Sequence, residues 1–256
     1  MPRKTASITN YADYLRLDEL LALQQPLSDS PDELHFITIH QIHELWFKVA
    51  ILHLNRTREA VDGDLPVEAL RLIGQVTEIF ENLRLTARHL QSMPPVSFHV
   101  FRHLLAPASG MQSFQFREVE LIAGRRDETY LQWVQRTFPR DGDWETVKRH
   151  LETPSLAQSL EALLTRCGVP DVATLLEHPE KWPELYALAD GLAVFDHTVS
   201  LWRQTHIHLV ERTIGAGTVG TGGTTHDFLQ RASQVRFFPA LWEARNELSR
   251  RMDDAE

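Results

Sequence analysis

The chain has 256 residues, 43% of them hydrophobic, and a formal net charge of -9. It is long enough to bury a substantial core, and its acidic balance excludes a global basic footprint for nucleic acid. The single cysteine, Cys167, excludes an intrachain disulfide framework and a cysteine-based zinc site; with no charged-then-apolar leader and no long apolar run, a cytoplasmic protein with no membrane partner is expected.

Taken in order, residues 1–10 are polar and are expected to be loose. Tyr11 to Leu20 reads as a short amphipathic helix ending before Pro26. Ser30-Pro31-Asp32-Glu33 is a helix start: Ser30 is placed to cap, Pro31 suits the first helical position, and Glu33 is placed to close a capping box. The helix it launches runs to about residue 61 and is broken by Asp62-Gly63-Asp64. A second long helix is expected from Leu65 to about Gln91, a short one from Phe98 to Leu105, a turn over residues 106–110, and a helix from Met111 to Ala123 closed by Gly124. Shorter helices are expected near 127–137, 155–166 and 172–177, split by Pro139, Asp141-Gly142, Thr153-Pro154, Gly168 and Pro170. A long helix follows over about 184–213, then a glycine-rich loop from Ile214 to Thr225, then a last helical stretch anchored by Phe237, Phe238 and Trp242. Strand alternation is scarce, so the class is all-α, read as one domain over 1–256. The basic pairs Arg125-Arg126 and Arg250-Arg251 are isolated and expected to be solvated.

Two stripes carry the candidate chemistry. Phe36, His40, His43, Phe47, Ala50 and Leu54 recur at helical spacing and share one face, next to Ile39, Ile42, Trp46 and Val49. A helix this apolar around its circumference is expected inside the fold. Leu192, Phe195, Val199, Trp202, His206 and Leu209 form the second stripe, with His208 pointing away. The site hypothesis is one cavity between these helices, with His206 as an axial metal ligand and His40 as a distal polar group. A core histidine bonded to a carbonyl is the alternative for His206. A single neutral imidazole on a helix lining an apolar slot is what heme iron takes. The spacing of His40 and His43 also suits two ligands, but no Glu-x-x-His repeat accompanies them and Phe47 stands where a zincin needs its second histidine. Arg102, flanked by Phe98, Phe101, Leu104 and Leu105, is either a surface ion-pair residue or a clamp for a carboxylate. The loop Gly220-Thr-Gly-Gly-Thr-Thr225 is either a connector or an anion cradle, and it lacks the Gly-Lys of a phosphate-binding loop. Trp46 and Trp202 are expected in the core.

Together the motifs resemble a family. Tyr11-x-x-Tyr14-Leu15-x-Leu17-Asp18, Phe36-Ile-x-x-His40-Gln41-x-x-Glu44-Leu45-Trp46-x-Lys48, Phe101-Arg102 and Pro107-x-Ser109-Gly110-x-Gln112-Ser113 are similar to tryptophan 2,3-dioxygenases. So are Trp202-Arg203-x-x-His206, Arg212-x-Ile214-Gly215, Gly220-Thr-Gly-Gly223 and Phe237-Phe238-Pro239-x-Leu241, in family order over about residues 11–245. The resemblance implies a bundle of long antiparallel helices enclosing non-covalent heme b, assembled as a homotetramer in which residues 11–25 reach a neighbouring subunit. It implies His206 as axial iron ligand, His40 as the catalytic group bonding the indole N–H, and Arg102 and Thr221 at the amino-acid carboxylate. Phe36, Phe98, Phe101, Tyr11, Tyr14 and Leu15 would shape the pocket, with Ser109 and Gly110 near the heme.

The activity so implied is dioxygenation of L-tryptophan by O2 to N-formylkynurenine, in tryptophan catabolism along the kynurenine pathway. Phe98 replaces a tyrosine common in the family, and His43 replaces a smaller or non-ionisable residue. These departures leave ring substituents on the substrate and the fate of the second oxygen open. The alternatives are a same-fold heme monooxygenase that forms an oxindole or hydroxylates an aromatic amino acid, and a non-catalytic heme- or indole-binding sensor.

Overall fold

A computed structural model describes residues 10–138 and 140–254; the expectations for residues 1–9 and for Pro139 lie outside them. The chain folds into α1 (Tyr11–Leu15), α2 (Leu17–Leu20), α3 (Pro31–Asp62), α4 (Pro66–Arg88), α5 (Pro95–Leu105), α6 (Phe114–Ala123) and α7 (Glu128–Thr137). There follow α8 (Asp141–Lys148), α9 (Leu156–Arg166), α10 (Val172–Glu177), α11 (Pro183–Ile214), α12 (His226–Ser233) and α13 (Pro239–Asp253). Among the described residues there is no strand, and no helix is long and apolar enough to cross a membrane. The fold is all-α.

The frame is three long helices. α3 and α11, of 32 residues each, are about 48 Å long at the α-helical rise, and α4 packs along both. Their shared core holds Phe47, Leu54, Ile73, Phe80, Phe195 and Val199, each buried. Gly191 lets α11 approach α4: a Cβ there would stand 2.6 Å from Leu70 Cδ1, inside contact distance. Proline occupies the first turn of α3, α4, α5, α11 and α13, where its missing N–H costs no helical bond.

Several local expectations are revised. Residues 11–20 form two helices, because Arg16 adopts a left-handed conformation (φ 52°) between them. Ser30 makes no side-chain cap to α3. Glu33 turns instead to the preceding loop, where its carboxylate accepts the backbone N–H groups of Leu27 and Ser28, each at 2.8 Å, and the Ser28 hydroxyl. Burial alone would raise its pKa, but these bonds hold it below the ordinary carboxylate value. The Asp141-Gly142 breaker lies in the first turn of α8, whose Trp144 and Val147 join Leu121, Tyr130 and Val134 in a second apolar cluster; tertiary burial overrides the turn signal. The last helical stretch is two helices. Between them buried Asp196 accepts the N–H groups of Phe237 and Phe238 and the indole N–H of Trp242.

The outer face of α3 is not buried. Leu45, Trp46 and Leu52 are exposed, so Trp46 is not a core residue, whereas Trp202 packs against Phe47, Phe80 and Phe116.

Candidate active site

Residues of both α3 and α11 line one cavity of about 530 Å3 with mostly apolar walls. That volume lies within the range of about 300–1,000 Å3 typical of cofactor and ligand sites. The cavity faces of the two stripes carry His40 and His43 on one side and Trp202 and His206 on the other.

The three imidazoles are neutral for one reason. Burial lowers the pKa of His40, takes His43 down to about 4, and takes His206 to about 4. His40 and His43 also act on His206 across the cavity, depressing it further. The surface that His40 and His206 expose is cavity wall.

Hydrogen bonds set the tautomers. The Phe36 carbonyl lies 2.7 Å from His40 Nδ1; a carbonyl only accepts, so Nδ1 carries the proton and Nε2 keeps a free lone pair. His43 Nδ1 likewise donates to the Ile39 carbonyl at 2.8 Å, while its ring lies 6.2 Å from Trp202. His43 thereby becomes a wall packed between the helices. The Nε1–H of Trp202 and the Nε of Arg117 are buried without a partner, and both residues border the cavity.

The aromatic wall comes from α3 and α5. Phe36 lies 5.6 Å from Phe98 and 5.5 Å from Phe101, and the latter two rings meet edge to face at 5.4 Å. Phe36 and Phe98 face the space, whereas Phe101 is fully buried behind them. Arg102, one residue on, also borders the cavity and donates from Nη2 to the Val219 carbonyl at 2.9 Å. Thr221 donates its hydroxyl to the Ala108 carbonyl at 2.8 Å. Ser109 caps the short 3-10 turn Gly110–Gln112, and a Cβ on Gly222 would stand 2.3 Å from Ser109 Cβ. The glycine-rich loop is therefore pressed flat on the 106–110 turn, which only a residue without a side chain permits.

Arg102, Thr221, Ser109, Gly110, Phe36, Phe98, His40 and His206 all line this one cavity. Tyr11, Tyr14 and Leu15 do not: they stand 74%, 67% and 39% exposed on α1. A group of charged wall residues lies outside the sequence-predicted site. Glu120, 1% exposed, pairs with Arg117 at 3.0 Å, Arg125 at 3.0 Å and Arg203 at 2.7 Å, and accepts the Tyr130 hydroxyl. Burial pushes its pKa up, but the three guanidiniums outweigh this and keep it ionised. The signal was available, since a charged residue every few positions in the run Phe116–Ala123 is unusual for a buried helix. The pair Arg125-Arg126 is not solvated as expected: Arg125 stacks on Tyr130, and Arg126 donates to the carbonyls of Leu121, His150 and Thr153. Arg250 and Arg251 pair with Glu247, and Arg251 also reaches Asp171.

Fold and cavity define an all-helical protein with an apolar chamber flanked by neutral histidines and bordered by arginines. A sequence model of the tryptophan 2,3-dioxygenase family matches residues 2–175. The chain is 35% identical to a tryptophan 2,3-dioxygenase of Bradyrhizobium diazoefficiens, over 92% of this chain and 91% of the relative. It is 36% identical to that of Caulobacter vibrioides, over 93% and 98%, and 35% identical to that of a Nocardioides species, over 93% and 94%. The chain belongs to the tryptophan 2,3-dioxygenase family.

Proposed function

We propose that this chain is a heme-dependent dioxygenase that opens the indole ring of L-tryptophan or a close analogue. Both atoms of O2 add across the C2–C3 bond, giving N-formylkynurenine. The observation that carries the reading is the shared chamber: His206 of α11 and His40 of α3 border one apolar space, with Arg102 on its wall.

The residues present fit a heme b group. His206 offers a neutral imidazole to iron at physiological pH. The walls are mostly apolar, and orphaned donors on Trp202 and Arg117 await an acceptor. Three guanidiniums set against the single carboxylate of Glu120 leave two positive charges, which suits the two carboxylates of heme. When bound, the iron supplies the O2 chemistry that side chains lack.

The protein orients the substrate and excludes water. His40, the catalytic group of this reading, accepts the indole N–H on its free Nε2 and so sets the ring's position. Arg102 binds the amino-acid carboxylate through a planar fork of donors, with Thr221 beside the carboxylate and ammonium. Phe36 and Phe98 pack on the indole with Phe101 buried behind them, and Ser109 and Gly110 would lie toward the heme. Placement of this kind accounts for much of the acceleration in such a site. We read the whole chain as one domain. The exposed Tyr11, Tyr14 and Leu15 then complete the pocket of a neighbouring subunit in a homotetramer.

Phe98 favours a second reading, a same-fold monooxygenase, because a phenyl ring faces the cavity where the family commonly has a phenol. Such an enzyme inserts one oxygen and releases the other as water, using two electrons from an external reductant. The test is mass spectrometry of products from the reduced, heme-loaded protein with tryptophan and 18O2. Two labelled atoms in a ring-opened product support the first reading, one supports the second, and tight binding of aromatic amino acids without turnover supports a sensor.

A further inference from the structure

The cavity has a constituent that the proposed reaction does not use. His226, the first residue of α12, borders the cavity, and its Nε2 lies 2.6 Å from Glu211 Oε1 on the last full turn of α11. A carboxylate accepts only, so His226 donates. Both side chains are substantially covered, at 21% and 36% exposed. Between these two residues the chain leaves α11, forms the glycine-rich loop and returns. The loop leaves at Gly215, with φ 80°, and re-enters helix at Thr225, whose hydroxyl caps α12 by accepting the Phe228 N–H.

Everything the loop contributes to the site lies between these ends. Val219 holds Arg102 through its carbonyl, and Thr221 reaches Ala108. Inside the loop, Gly220 and Thr224 are bonded backbone to backbone, as are Gly223 and Gly220. The tip is therefore a folded unit, and its placement depends on where its two stems are held. α12 packs on α11, and the charge-assisted bond at 2.6 Å ties the stems directly where the loop leaves and returns.

We propose that His226 and Glu211 are positioning residues: their hydrogen bond staples the ends of the 215–225 loop and thereby places Val219 against Arg102 and Thr221 at the amino-acid head of the substrate. Neither touches the reacting atoms. This rests on the reading of Arg102 and Thr221 as substrate contacts, so the test carries one readout that does not.

The experiment compares heme-loaded wild type with His226→Ala, Glu211→Ala and the double variant. Loop 215–225 is followed by hydrogen exchange without substrate, and KM and kcat are measured with L-tryptophan. Loss of one charge-assisted bond should speed loop exchange and raise KM by about 10-fold, with kcat changed far less and an unchanged Soret band. The double variant should be no worse than either single one, because both remove the same bond. Glu211→Gln keeps an acceptor oxygen for His226 and should recover most of the protection. Loop exchange in His226→Ala equal to wild type, additive losses in the double variant, or faster exchange with an unaltered KM would each overturn the proposal. If the protein fails to act on tryptophan at all, the proposed function falls, while the exchange comparison still decides the staple.

Discussion

Replacing Glu120 by glutamine removes the one negative charge from a cluster of three guanidiniums. Arg117, Arg125 and Arg203 all lie within 3.0 Å of its carboxylate oxygens, and Glu120 and Arg203 are buried. Breaking such a buried pair costs about 3–5 kcal/mol, because the surviving charges remain desolvated and unpaired. Glutamine retains one acceptor for Arg203 or Tyr130, which places the loss at about 3 kcal/mol. For a chain of this size that corresponds to a melting temperature roughly 6–12 °C lower at pH 7. The sign with pH follows from the depressed pKa of Glu120, which the three arginines impose against its burial. Its contribution is full above the unfolded value of about 4.3 and disappears as pH falls through the lower folded value. The gap between wild type and variant should therefore be widest at neutral pH and close in acid. Thermal melts by circular dichroism over a pH series measure it. A shift below about 2 °C at pH 7, or a gap that widens in acid, would refute the electrostatic account of this cluster.

Arg102→Ala should weaken tryptophan binding by about 10-fold or more, as expected for losing a hydrogen bond to a charged group, and leave heme affinity nearly unchanged; Soret titration with tryptophan reads both, and an unchanged substrate affinity would discard the clamp. His206→Ala should lose the five-coordinate ferrous spectrum. Because burial keeps the His206 pKa near 4, heme affinity of the wild type should be flat from about pH 8 to 6, whereas an ordinary histidine at about 6.5 would lose about threefold between pH 7 and 6; it should fall only as pH approaches 4, and a threefold loss between pH 7 and 6 would contradict the neutral ligand. Removing residues 1–16 should leave heme binding in place but abolish the pocket's aromatic amino-acid selectivity, with competition among tryptophan, tyrosine and phenylalanine as the readout.

Periodicity alone made the long helices legible. The stripe from Phe36 to Leu54 and that from Leu192 to Leu209 correctly announced α3 and α11, since apolar spacing of three and four residues is a local property of a helix that must bury one face. Proline at helix starts and glycine at helix ends set most of the boundaries. The two stripes also named His40 and His206 as members of one face each. Local patterning could not say that Glu33 would cap the loop behind it, that Asp141-Gly142 would begin a helix, or that Trp46 would face outward. Those outcomes depend on which neighbours arrive from elsewhere in the chain.

The chamber itself shows the division most clearly. The order of helices and the histidines on their apolar faces were determined by the sequence, because each follows from contacts a few residues apart. The meeting of Glu120 with Arg203 from α11, of Arg102 with the Val219 carbonyl, and of Glu211 with His226 was decided only by the tertiary structure. A buried charge is stable only beside its partner, and that partner is supplied by packing of segments distant in the chain, which no local spacing encodes.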